Sequence, residues 1–130
     1  MREIDWPDDI ELLRQMLALI GEKWTVPVLV TLSGGRFRFN ELHRAVGGIS
    51  QRMLAVTLRM LERDGLLVRT VHPTAPARVE YELSARGRSL KEALQPIIGW
   101  VLKNQRGLEE TRRNFDRNRS RSKRWHVWVN

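Results

Sequence analysis

Between Asn40 and Leu83 one series of local signals runs without a gap, and it leaves this chain few folds to choose from. Asn40-Glu-Leu-His-Arg-Ala-Val46 predicts a short helix that ends in Gly47-Gly48. Ser50, a residue type suited to a helix N-cap, opens a second helix that closes at Gly65. Leu66 to Val71 and Arg78 to Leu83 predict two strands, joined by the turn His72-Pro73-Thr74-Ala75-Pro76-Ala77.

Two helices across a tight turn, followed by a two-stranded wing, make a winged helix-turn-helix, whose second helix meets base edges of DNA with its N-terminal residues. Leu54, Leu58 and Leu61, flanked by Met53, Thr57 and Met60, form the stripe expected to be buried. The other side offers Ser50, Gln51, Arg52, Ala55 and Val56 for base readout. Arg can bridge guanine O6 and N7, Gln can pair with adenine, and Ala or Val can meet a thymine methyl. Arg59 is expected at phosphate, as are Arg36, Arg38 and Asn40 beside the first helix of the pair. Arg69 and Arg78 flank the wing turn, and Arg78 is placed to enter a minor groove. The plainer alternatives stay open: solvated residues on an amphipathic helix, and for Arg78 an ion pair with Glu80 or Glu82.

Charge supports this unevenly. The formal net charge of +8 is concentrated after residue 110, where seven basic side chains face Asp116 alone. The first 33 residues carry six acids against three bases, and residues 34–83 carry eight Arg against five acids. The pI therefore says little about DNA, whereas a mildly basic middle after an acidic start fits one DNA-facing side. There is no cysteine, which excludes disulfides and thiolate metal sites. No apolar run approaches the ~18 residues of a membrane span, and the acidic start is unlike a signal peptide. A cytoplasmic protein with no membrane partner is the expectation.

Outside the central unit, Pro7-Asp8-Asp9 announces a first helix with Ile10, Leu13, Leu17 and Ile20 at helical spacing. Leu12, Met16 and Leu19 widen that stripe beyond what one small core covers, so a dimer partner is a natural second cover. A second helix fits Lys23 to Leu32, with Pro27 near its first turn, and stops at Ser33-Gly34-Gly35. Arg36-Phe37-Arg38-Phe39 alternates like a short strand. From Ser84 a long helix runs through Leu90, Leu94, Ile97, Ile98, Val101 and Leu102, with a kink expected at Pro96. Its pattern fails beyond Thr111, which divides the chain into a domain over 1–110 and a basic tail over 111–130. That tail reads as a disordered solvated extension, as a nucleic-acid arm, or as a segment that folds back through Trp125 and Trp128.

These residues resemble an HxlR-type transcriptional regulator, a winged-helix family related to the MarR group. The resemblance rests on Leu19-Ile-Gly-Glu-Lys-Trp24, Arg38-Phe-Asn-Glu-Leu42, Gly48-Ile-Ser-Gln-Arg-Met-Leu54, Leu61-Glu-Arg-Asp-Gly-Leu66, Arg78-Val-Glu-Tyr81 and Leu83-Ser-Ala-Arg-Gly87, all in order. It implies a mainly α fold with a small antiparallel β wing and dimerisation helices at both ends. It also implies a homodimer that places each half on one half of a palindromic double-stranded DNA operator, more often as a repressor than an activator. Many members of the family carry a sensing cysteine in the first helix where this chain has Glu11, so thiol-based sensing is not expected.

Catalysis has little support, because His43, His72 and His126 are scattered and no cofactor motif is present. Met16, Trp24 and Trp100 could line a small-molecule effector pocket at a dimer junction, although core and interface is the plainer and favoured reading. The rival from another class is a protein–protein interaction module that kept the fold and lost DNA binding.

Overall fold

In the computed structural model of the chain, Trp6 and residues 8–126 are described, with side-chain surroundings through Arg121. The chain forms two compact units, Met1–Glu92 and Ala93–Asn130. The first holds α1 (Glu11–Gly21), α2 (Thr25–Leu32), β1 (Phe37–Arg38), α3 (Phe39–Val46), α4 (Gln51–Arg63), β2 (Leu67–His72), β3 (Arg78–Leu83) and the opening of α5 (Ala85–His126). The fold is mainly helical, with one small antiparallel sheet in the order β1-β3-β2. Leu67 stands opposite Leu83 and His72 opposite Arg78, while Phe37 and Arg38 pair with Tyr81 and Glu80. The Arg36–Phe39 alternation thus supplies the third strand, two residues long, on the far side of β3.

One layer of aliphatic side chains holds this unit together. Val28, Leu29 and Leu32 of α2, Leu42 of α3, Leu54, Leu58 and Leu61 of α4, and Leu66, Leu67 and Leu83 are all at most 4% exposed. Each such leucine, fully buried, stabilises the fold by about 1.5–3 kcal/mol relative to leaving it in water. Met53 and Met60, expected at the flanks of the buried stripe, are each 38% exposed. The side of α4 that carries them borders an open cavity rather than packed core.

Helix ends differ from the sequence expectation by a residue or two, with local causes. The N-cap position falls on Ile10, which makes no side-chain cap bond, while Asp9 Oδ1 just ahead of it accepts from the Glu11 N–H at 2.9 Å. In α2 the turn Glu22–Trp24 comes first, closed by Thr25 N–H donating to the Glu22 carbonyl at 3.3 Å, which leaves Pro27 in the first turn where it is tolerated. The α3 helix starts at Phe39 because Arg38 N–H donates to Glu41 Oε1 at 3.0 Å.

The last helix departs furthest. Instead of ending near Thr111, α5 continues to His126, through Pro96. After Gly107 no Gly or Pro interrupts the sequence as far as His126, and its Arg and Glu residues favour helix. Pro96 has no N–H to give the Glu92 carbonyl, and the division between the two units falls at Glu92, not at Thr111. Within the second unit Ile97, Trp100, Val101, Leu102 and Phe115 are exposed. Trp128 and the proposed fold-back of the chain end lie outside the described residues.

The start of α5 is fixed to the wing by a close backbone approach. Gly87 N–H donates to Ser84 Oγ at 3.0 Å, and Ser84 N–H donates to the Leu66 carbonyl at 3.1 Å. A Cβ built on Gly87 would lie 1.9 Å from the Leu66 carbonyl oxygen. Gly87→Ala is therefore expected to destabilise the protein by about 1–3 kcal/mol, the usual range for overpacking, measurable by urea or thermal unfolding. An unchanged midpoint would show that Leu66 and Gly87 are not held this closely.

Candidate nucleic-acid interface

The turn between α3 and α4 sets how the second helix is presented. Gly47 and Gly48 have φ of +71° and +75°, a left-handed conformation that costs an L side chain about 1–2 kcal/mol per residue. The Gly47 N–H donates to the His43 carbonyl at 3.2 Å, and His43 Nε2 donates to the Ile49 carbonyl at 2.7 Å. The His43 ring also stacks on Phe39, with centroids 6.5 Å apart. His43 is thus part of the turn's framework. Ser50 caps α4 as expected, its Oγ accepting from the Met53 N–H at 3.0 Å.

With Leu54, Leu58 and Leu61 facing inward, Ser50, Gln51, Arg52, Val56 and Arg59 are exposed and Ala55 is half-buried. Arg52, Arg59 and Arg63 follow at i, i+7 and i+11, which puts them on one row along the helix. Arg63 was not among the expected site residues, yet the same spacing rule identifies it. On one flank of this row, Ala55, Arg59, Glu62, Arg69 and Tyr81 border a shallow pocket of about 300 Å³. The structure therefore brings Arg59 of α4 and Arg69 of β2 to one surface. Glu62 joins them by helical spacing from Arg59, and Tyr81 by the strand register opposite Arg69.

On the other flank lies a larger cavity of about 540 Å³, built within the first unit from α1, the start of α2 and α4. Met16 and Trp24 line it as anticipated, facing Met53, Val56, Thr57 and Met60. Val56 therefore borders both the outward row and this cavity. Trp100 belongs to the second unit, where its side chain is exposed. Trp24 also lies 3.7 Å from where a Cβ on Gly48 would sit, and Lys23 Nζ is 5.1 Å from the Trp24 ring centroid.

Two of the arginines expected at phosphate or minor groove have carboxylate partners. Arg36 Nε pairs with Glu82 Oε2 at 3.1 Å, and Arg78 Nε pairs with Glu80 Oε1 at 3.0 Å. The Arg78 pair is made along its own strand, not across the sheet. His72 Nε2 approaches the same Glu80 oxygen at 3.3 Å without making a hydrogen bond. Arg38 stands opposite Glu80 in the sheet and its side chain is exposed, as is that of Asn40. Among the described residues no group of three or more His, Cys, Asp or Glu side chains could hold a metal ion. No helix among them is long and apolar enough to cross a membrane.

A capped, solvent-facing second helix after a two-glycine turn, backed by a three-stranded wing, defines a winged helix-turn-helix unit. Residues 19–108 match the family model for the HxlR-like helix-turn-helix. The chain belongs to this family, whose members are DNA-binding transcriptional regulators. An HTH-type transcriptional regulator of Escherichia coli strain K12, YtfH, is 39% identical over 88 residues, covering 68% of this chain and 70% of that protein. The solved structure of the regulator ytfH from Salmonella typhimurium superposes with a TM-score of 0.70 at 35% identity, over 78% of this chain and 90% of that one. The redox regulator HypR in its reduced form also gives a TM-score of 0.70, at 36% identity, over 77% of this chain and 99% of that one.

Replacing Ser50 with Ala removes the one side-chain bond at the start of α4 and is expected to cost about 1 kcal/mol, with Ser50→Asp retaining most of it. Equal unfolding midpoints for Ser50→Ala and the parent chain would show that the cap does not hold the helix start.

Proposed function

We propose that the chain is a homodimeric transcriptional repressor that reads a palindromic operator. The observation that carries this reading is the start of α4, where Ser50, Gln51 and Arg52 are capped into place and exposed ahead of the outward arginine row. Base edges are read by Ser50, Gln51, Arg52, Ala55 and Val56. Arg59, Arg69, Arg38 and Asn40 hold the backbone. Arg36 and Arg78 reach phosphate or minor groove by exchanging Glu82 and Glu80 for DNA. The Arg36 pair lies at the surface and is worth about 0–1 kcal/mol, so its exchange is cheap, whereas the Glu80 carboxylate that Arg78 would leave is only 18% exposed.

The homodimer is supported by the apolar side chains that the first unit leaves outside. On α1, Leu12 is 70% and Leu17 55% exposed. Two recognition helices related by a twofold axis would then meet half-sites about 34 Å apart. The rival, an interaction module without DNA binding, is less well supported, because the exposed face of α4 carries no aromatic side chain.

For the signal, the absence of cysteine from the 130 residues favours something other than thiol oxidation. The cavity between α1 and α4 is the natural place for a small-molecule effector with an apolar body. Its size lies within the range of ligand pockets, and five of its lining residues, Arg63 among them, belong to the recognition helix. An occupant would bear directly on α4 and shift the population of DNA-competent dimers.

Selection of bound duplexes from a random pool is expected to enrich an inverted repeat with one turn between half-sites. A single unpaired half-site would exclude the dimeric reading, and no enrichment would favour the interaction module. On the selected operator, Arg52→Ala should cost about 1–3 kcal/mol and relax preference at one position, whereas Arg59→Ala should weaken all sequences alike. Identical losses on operator and random DNA for both variants would remove the division of roles. For the cavity, anilinonaphthalene sulfonate is expected to fluoresce on the parent chain and to bind several-fold more weakly to Met60→Trp, which fills the space. Equal dye binding would place any apolar ligand elsewhere.

A further inference from the structure

The family match ends at residue 108, yet α5 continues as helix to His126. The added segment has a composition unlike the rest of the chain. From Thr111 to Arg121 it carries five arginines against Asp116 as the single acid, and every one of these residues is exposed. None of the five forms an ion pair among the described residues.

Helical geometry sorts these charges. Arg113, Arg117 and Arg121 follow at i, i+4 and i+8, so they stack along one face, and Lys103 and Arg106 fall on the same side. Together they form a ridge about 27 Å long, interrupted by Glu110 between Arg106 and Arg113, with an unbroken run of cations about 6 Å apart along its far half. Like charges at i, i+4 repel and destabilise an isolated helix. A row of this kind is therefore stabilised by a ligand that presents a matching line of negative charge.

We propose that this ridge is a second nucleic-acid surface, separate from the helix-turn-helix, which binds duplex phosphates without regard to sequence. Duplex DNA presents one negative charge per about 1.7 Å of its axis, enough to engage every cation of the ridge. Arginine suits the role because it stays charged and is more weakly hydrated than lysine. Asn114 and Ser120 beside the row add neutral donors of the kind that contact phosphate and sugar. An anionic membrane fits less well. Interfacial helices need an apolar face opposite the basic one, and from Glu109 to Arg121 only Phe115 is a large apolar residue.

The choice of duplex DNA rests on the reading of the chain as an operator-binding protein, and the test separates the two. Full-length chain and the variant Arg113→Gln/Arg117→Gln/Arg121→Gln are titrated by fluorescence anisotropy with the selected operator and with a random duplex, over a range of salt. Three lost phosphate contacts are expected to reduce the slope of log affinity against log salt by about 2–3 on both duplexes. The ratio of operator to random affinity should stay unchanged. The corresponding triple Lys variant should keep most of the slope, since it keeps the charge. An unchanged slope in the Gln variant would overturn the proposal while leaving operator preference intact. Loss of binding to phosphatidylcholine–phosphatidylserine vesicles, with no change of slope on DNA, would assign the ridge to membranes and overturn it as well. Conversely, a reduced slope in a protein that prefers no sequence would keep the ridge and remove the operator reading.

Discussion

The rotation of α4 about its own axis depends on three leucines. Leu54, Leu58 and Leu61 are at most 2% exposed, and their burial, with α4 packed on β2, leaves one orientation for the helix. Turning α4 by a single residue would bring a methionine or an arginine into that layer, and burying an unpaired guanidinium costs several kcal/mol. The outward row Arg52, Arg59 and Arg63 is thus a consequence of apolar packing on the opposite side. The glycine turn and the Ser50 cap then decide where along the axis that row begins.

Because one side of α4 is committed to the core, its two flanks are free to differ. The flank toward the wing is polar, and there the register of β2 against β3 brings Arg69 and Tyr81 alongside Arg59. The flank toward α1 is mostly apolar and unfilled, lined by Met53, Val56 and Met60. Methionine adapts its shape cheaply, which suits a wall that is not packed to completion. One helix therefore joins an outward arginine row to a cavity, with Val56 on the boundary between them. Under the proposed function, that adjacency gives an occupant of the cavity a short route to the residues proposed for base readout.

Most of the first unit was legible in the sequence, for reasons that can be stated residue by residue. The strands, the glycine turn and the Ser50 cap depend on local chemistry, and the three buried leucines on periodicity, so a linear reading reaches them. What it missed depends on neighbours distant in the chain. The exposure of Met53 and Met60 follows from how α1 lies beside α4, and the partners of Arg36 and Arg78 follow from β1 and β3 pairing. The Arg69–Tyr81 apposition needs strand register, which a slip of one residue would have reversed. Arg63 is legible by spacing alone, eleven residues after Arg52 on the same row.

In the last helix the apolar pattern and the helix end at different places. Beyond Thr111 the hydrophobic repeat stops, and without an apolar stripe nothing requires burial. Helix formation has a second condition, the absence of breakers, and this stretch meets it from Leu108 to His126. Charge repulsion along Arg113, Arg117 and Arg121 works against the helix, while Glu109 and Glu110 lie one turn ahead of Arg112, Arg113 and Asn114 and work for it. A segment balanced in this way gains order from any ligand that neutralises the arginine row. The same residues that made the sequence look unstructured are those that make a polyanion the partner it is suited to hold.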